Sequence, residues 1–156
     1  MVNQAGTRGK AMTIVKRART VNFSCEQMYT LVNEVENYAQ FLPYCTESTV
    51  HHRNEDEVQA TLIIGAAGMS KSFTTRNLLQ ENKMIEIRLI DGPFSHLEGF
   101  WRFDENGNGG CKISFDLEFE FAGKIFSMFL GPVFDQVTDK MVDAFCDRAE
   151  NVYGKS

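Results

Sequence analysis

The sequence predicts an α+β fold in which a seven-stranded antiparallel sheet curls around one long C-terminal helix. Two observations carry that expectation. Between Lys124 and Tyr153, apolar residues recur at Phe126, Leu130, Phe134, Val137, Met141, Phe145, Ala149 and Val152. Steps of three and four are the spacing of one helix face. Just before it, Cys111, Ile113, Phe115, Leu117, Phe119 and Phe121 alternate with Lys112, Ser114, Asp116, Glu118 and Glu120. That two-residue period belongs to a strand with one dry face and one wet. The dry face needs a cover, and only the helix is long enough. From Val133 to Tyr153 it would run about 30 Å, which matches a strand of roughly nine or ten residues at ~3.3 Å each.

The remaining elements follow in order. Thr13 to Phe23 reads as a first strand with Val15, Val21 and Phe23 on one face. Arg17 and Arg19 share that face, which suits an edge position. Ser24-Cys25-Glu26-Gln27 is a capping box that opens a helix with Met28, Leu31 and Val32 inward. A second short helical face holds Val35, Tyr38, Phe41 and Leu42, and Pro43 ends it. Five further strands precede the last one: Thr46 to Arg53, one around Val58 to Ile64, Lys71 to Leu79, one around Ile85 to Leu89, and Phe94 to Phe103. The turns between them are marked by Asn54-Glu55-Asp56, Gly65 to Gly68, Glu81-Asn82, Asp91-Gly92-Pro93 and the loop Asp104 to Gly110. Gly131-Pro132 inside the helical region predicts a short helix from Gly123 to Leu130 and a kink or restart at Pro132.

Composition bounds the function. A chain of 156 residues suits one domain with one core. We expect residues 1–11 to form a flexible leader and residues 12–154 the single domain, with Met12 an alternative start. The formal net charge of -5 argues against a general nucleic-acid binder. The basic run Arg8, Lys10, Lys16, Arg17 and Arg19 reads as a solvated end plus an edge strand rather than a phosphate-binding arm. The four cysteines, Cys25, Cys45, Cys111 and Cys146, form no CxxC, so neither a zinc site nor a redox pair is expected. Reduced thiols in a cytoplasmic protein are the expectation. The first residues lack the apolar core of a secretory signal, and no stretch is apolar enough to form a transmembrane segment. Thirteen Phe against one Trp and four Tyr suit either a filled core or an apolar cavity.

Several stretches carry a resemblance over about residues 12 to 154. They are Val32-Asn33-Glu34-Val35-Glu36-Asn37-Tyr38, Phe41-Leu42-Pro43-Tyr44-Cys45, Lys71 to Asn77, Asp91-Gly92-Pro93-Phe94, Leu97 to Phe103, Gly131-Pro132-Val133-Phe134 and Met141 to Phe145. In that order the chain resembles the START-like family of polyketide cyclase and lipid-transport type, including its ribosome-association and coenzyme Q-binding members. The resemblance implies a helix-grip fold with two short helices after the first strand. It implies a bound ubiquinone or other lipid under the long helix, and no other cofactor. It also implies binding to the large ribosomal subunit, and peripheral contact with the inner membrane. A more distant implication is an aromatase/cyclase-type enzyme acting on a polyketide-like substrate. Ala39 and Tyr44 stand where relatives often carry Pro and Trp, both mild departures.

No catalytic constellation is visible. His51 and His52 are neighbours on a strand and point to opposite faces, so they do not chelate together. Asp116, Glu118 and Glu120 read as a solvated face. A cyclase would need a polar pair inside the cavity, for which only Arg76, Arg88 or His96 are candidates. In a helix-grip fold the apolar lining would be Phe41, Leu42, Tyr44, Phe73, Phe94, Leu97, Trp101, Phe129, Val133, Phe134, Val137 and Met141. Phe94 and Phe129 would gate it, and a ligand would pass between Phe129 and Phe134. Met141 to Val152 would be ordinary core. For a ribosomal partner the candidate nucleic-acid contacts are Arg17, Arg19, Lys71, Arg76 and Arg102.

Overall fold

The computed structural model describes residues 12–66 and 68–154; the expected leader at 1–11 lies outside the described residues. Strand β1 spans Thr13–Val21, helix α1 Cys25–Asn33, and a 3-10 helix Val35–Gln40. Strands β2 (Cys45–Arg53), β3 (Glu57–Ala66), β4 (Met69–Gln80), β5 (Met84–Asp91), β6 (Phe94–Glu105) and β7 (Cys111–Phe121) follow. Helix α2, Lys124–Tyr153, ends the described chain. The strands form one antiparallel sheet in the order β1-β7-β6-β5-β4-β3-β2.

Local chemistry sets the corners. The Gln27 N–H donates to Ser24 Oγ at 3.0 Å and the Ser24 N–H to Gln27 Oε1 at 2.9 Å, completing the capping box. Asn54 Oδ1 accepts from the N–H groups of Asp56 and Glu57 in the first hairpin, and Asn106 Oδ1 from those of Asn108 and Gly110 in the last. Register shifts in the β2–β3, β4–β5 and β6–β7 ladders bend the sheet around α2.

Both sheet edges are covered. The 3-10 helix lies over β2: Ser48 Oγ donates to Glu36 O and accepts from the Ala39 N–H, and Arg53 grips both Glu36 carboxylate oxygens. On β1 the expected edge arginines reach the helix. Arg17 pairs with Asp139, and Arg19 with Asp143 at 2.9 Å. Asp139 is thereby held below the usual carboxylate range, chiefly by its hydrogen bond from Arg17.

The core is the apolar face of β7 packed on α2. Phe115, Phe119 and Phe145 are almost wholly buried, and Trp101 meets Phe115 and Phe145 at centroid distances of 4.5 and 5.2 Å. Helix α2 differs from expectation in being continuous through Pro132. Proline only withholds the N–H that would reach the Met128 carbonyl, and Met128 is exposed to water. Val152, expected in the core, is exposed, because Tyr153 takes the inward position and its hydroxyl donates to Gln27 O at 3.1 Å.

Gly99 permits the closest strand approach. A Cβ there would lie 2.2 Å from Asp116 O and 2.9 Å from Leu117 Cα, both backbone atoms. Gly99→Ala is therefore expected to destabilise the fold by about 1–3 kcal/mol. Urea denaturation should show a lowered midpoint with an unchanged slope; an unaltered midpoint would contradict this packing.

Candidate apolar binding cavity

Between the concave sheet face and α2 lies an apolar cavity of about 70 Å³. Every layer contributes to it. Val32, Val35, Tyr38 and Leu42 come from the short helices and the turn after them. Leu62, Ile64, Phe73, Thr75, Asn77, Ile85, Ile87, Leu97, Trp101, Phe115 and Leu117 come from β3 to β7. Phe134, Val137, Thr138 and Met141 come from α2. The volume admits a few water-sized spheres at ~10–15 Å³ each. Pockets for drug-sized ligands run to ~300–1,000 Å³, so a quinone ring with a tail would have to displace part of the helix.

Seven of the expected lining residues meet here: Leu42, Phe73, Leu97, Trp101, Phe134, Val137 and Met141. The other five do not. Phe41 packs outside this wall, with its ring edge-on to Phe145 and the Arg148 guanidinium above it. Tyr44 is turned outward by a left-handed backbone at φ 63°. Phe94 is buried among Phe73, Phe119, Phe121 and Phe134, beside a separate void of about 10 Å³. Phe129 points to solvent, since the inward stripe runs through Leu130 and Phe134. Val133 is half-buried against the core without reaching the cavity.

The polar lining was not legible beforehand. Asn77 and Thr138 are the buried polar residues among the described residues. Thr138 Oγ donates to Phe134 O, and Tyr38 OH to Val32 O. Thr75 Oγ donates to Asn77 Oδ1 at 3.1 Å. The Asn77 amide nitrogen makes no hydrogen bond among the described residues, so it is free to donate. Its inward phase on β4, shared with Phe73, was the one available signal.

The cyclase candidates lie elsewhere. Arg76 and Arg88 are exposed across from each other on β4 and β5, and Arg88 pairs with Glu86 at 2.7 Å. His96, Glu98 and Glu118 bring donor atoms within 4.8 Å of one another, on the convex face away from the cavity. His51 and His52 are both exposed on β2.

The basic candidates do not gather on one surface. Arg17 and Arg19 are engaged by α2, and the Lys71 ammonium sits 5.2 Å from the Phe126 ring centre. Arg76 and Arg102 share the convex face with Arg88; Arg102 lies over Phe100.

One end of the molecule is apolar on its outside. Met12, Ile14, Tyr44, Ile90, Ile125, Met128 and Phe129 are all exposed. Each lies at the rim where β1 and β2 begin, β5 ends and α2 starts. Ile125, Met128, Phe129 and Pro132 form an outward stripe at i, i+3, i+4 and i+7. Gly123 offers α2 no side-chain cap at this end. From Lys124 to Phe129 only Phe126 is even half-buried, and burial of the helix begins at Leu130 and Phe134.

A bent antiparallel sheet gripping a long helix over an apolar cavity defines the START-like class. The chain belongs to the family described as polyketide cyclase / dehydrase and lipid transport, whose signature matches residues 21–146. It is 40% identical over 142 residues to the ribosome association toxin RatA of Pseudomonas aeruginosa, covering 91% of this chain and 99% of that protein. It is 31% identical over 142 residues to the mitochondrial coenzyme Q-binding protein COQ10 homolog B of Xenopus laevis, covering 88% of this chain and 58% of that protein. Among solved structures, the Zhui aromatase/cyclase from Streptomyces sp. R1128 superposes with a TM-score of 0.78 at 18% identity, over 94% of this chain and all of that one. At that identity the likeness is one of fold.

Burial pushes the Cys45 and Cys146 thiols up from 9.0 to about 11. The folded state thus favours the protonated thiol more than the unfolded chain does. That contribution is complete below pH 9 and is lost as pH rises towards 11. Tm should therefore fall across pH 9–11, and fall less in a Cys45→Ala/Cys146→Ala variant. Equal slopes for the two proteins would refute the assignment.

Proposed function

We propose that the protein is a non-catalytic carrier of an apolar molecule of quinone or lipid type that also associates with the large ribosomal subunit. The observation that carries the first half is the cavity, whose lining is apolar except for the hydroxyls of Tyr38, Thr75 and Thr138 and the Asn77 amide. A donor set in an apolar wall suits a ligand with one carbonyl-bearing head and a hydrocarbon body. The name of the 31%-identical coenzyme Q-binding relative supports the same chemistry. The ligand reaches the cavity by tilting of the first turns of α2, whose outward apolar stripe rests on a membrane surface during loading. Among the described residues no helix is long and apolar enough to cross a membrane, and the contact is peripheral, from the cytoplasmic side.

Uptake of a short-chain ubiquinone from vesicles, followed by tryptophan quenching at Trp101, tests this. Asn77→Leu should weaken binding about tenfold, the value of one hydrogen bond. Met128→Ser/Phe129→Ser should slow uptake from vesicles yet leave binding in detergent unchanged. No uptake by the unmodified protein under either condition would sink the carrier reading.

The ribosomal half is supported by the 40% identity, over almost its whole length, to a protein named a ribosome association toxin. The convex face with Arg76, Arg88 and Arg102 is the surface we assign to it. Cosedimentation with large subunits should weaken steeply with salt. Arg76→Glu/Arg102→Glu should abolish it without altering quinone uptake. Absence of binding even at low salt would remove this half alone. The relatives carry toxin and coenzyme Q-binding names, and cyclase chemistry has only the shared fold behind it.

A further inference from the structure

Cys25 and Cys111 meet in the core although 86 positions separate them in the chain. Cys25 opens α1 directly after its Ser24 cap, and Cys111 opens β7 directly after the last hairpin. They are 6% and 0% exposed, and their sulfurs stand 2.7 Å apart. A disulfide bond is ~2.05 Å long, and unbonded heavy atoms normally rest at ~3.5–4.0 Å. The sulfurs thus face each other at a separation that a small side-chain rotation converts into a bond.

Both backbones are already fixed. The capping box holds Cys25, and Cys111 is paired with Val21 on one side and Glu105 on the other. Closing the bond brings together two sulfurs that already face each other. The remaining thiols lack this arrangement. The Cys45 thiol turns to the Glu47 carbonyl at 3.5 Å, and neither it nor Cys146 has a sulfur neighbour among the described residues. The expectation of four independent thiols rested on sequence spacing, which is blind to a contact made through the fold.

We propose that Cys25 and Cys111 form a site of reversible disulfide formation, oxidised by a small peroxide and locking α1 onto β7. Cys25 is the less deeply buried and reacts first. Its sulfur takes one oxygen from hydrogen peroxide, giving a sulfenic acid and releasing water. The Cys111 sulfur then attacks the Cys25 sulfur. The S–S bond forms, the S–O bond breaks, and the hydroxyl leaves with the Cys111 proton as a second water. Two thiols lose two electrons in all, and the peroxide is reduced to two waters. A thiol reductant reverses the bond by exchange. Burial holds the Cys111 thiol protonated well above the ordinary thiol range, so the reaction is slow and answers sustained oxidation.

The bond joins two walls of the cavity. Val32 lies two turns along the helix that Cys25 opens, and Phe115 and Leu117 lie on the strand that Cys111 opens. Oxidation therefore fixes the α1 side of the chamber and leaves the start of α2 as its movable side.

The test uses the unmodified, fully reduced chain. It is treated with hydrogen peroxide, blocked with N-ethylmaleimide and digested without reduction. The expected product is a single cross-linked peptide pair holding Cys25 and Cys111, with two of the four thiols lost. Tm should rise by about 5–15 °C and return on adding dithiothreitol. Cys25→Ala should abolish both the cross-link and the rise, while Cys45→Ala keeps them. Four free thiols after treatment, a link from Cys111 to another cysteine, or sulfinic acid at Cys25 without a link would each overturn the proposal. The mapping needs no variant, so it decides even where a substituted chain fails to fold.

Discussion

The structure depends on burying the dry face of β7 beneath α2. A strand that carries Ile113, Phe115, Leu117 and Phe119 on one side is insoluble until something covers that side. The helix does so with Phe134, Val137, Phe145 and Ala149. The other strands extend the sheet around the same helix. The bends at the bulges, the capped α1 and the covered edges all serve to keep that contact closed.

The cavity is what this contact leaves over. Aromatic rings meeting edge-on, as Trp101 does on Phe145 and Phe119 on Phe134, leave gaps that aliphatic side chains would have filled. The gap lies along the helix from Phe134 to Met141, facing Trp101 and Phe115 on the sheet. The Asn77 oxygen accepts from the Thr75 hydroxyl within this otherwise apolar wall.

Much of this was legible in the chain. The period-two pattern of β7 and the three-and-four pattern of α2 gave the architecture, because both elements are long and half-buried. The capping box and the Asn-Gly-rich hairpin gave the corners, because their chemistry is local. What stayed hidden depends on which way a side chain turns at an irregular position. Tyr44 follows a proline in a left-handed turn, and Phe129 sits one step off the inward stripe, so type alone misplaced both. Pro132 reads as a break because its usual effect is steric, yet an exposed turn tolerates one missing hydrogen bond. Arg17 and Arg19 read as edge residues, but their partners Asp139 and Asp143 lie more than 120 residues away and only the fold brings them near. The Cys25–Cys111 contact was invisible for the same reason.

The unequal anchoring of α2 has a mechanical consequence. Arg17 and Arg19 pair with its middle, Tyr153 ties its end and Leu130 and Phe134 seat its first half, so only the turns before Leu130 stand outside the core. From Asp139 back to Ile125 is about 21 Å of rod at ~1.5 Å per residue. A tilt of about 10° at the clasp would move the first turn by about 4 Å. Side chains near the clasp shift by less than a methyl group over the same rotation. Displacement of a rigid rod grows with distance from its fulcrum, so a small angular motion near Asp139 would be read out most at Ile125.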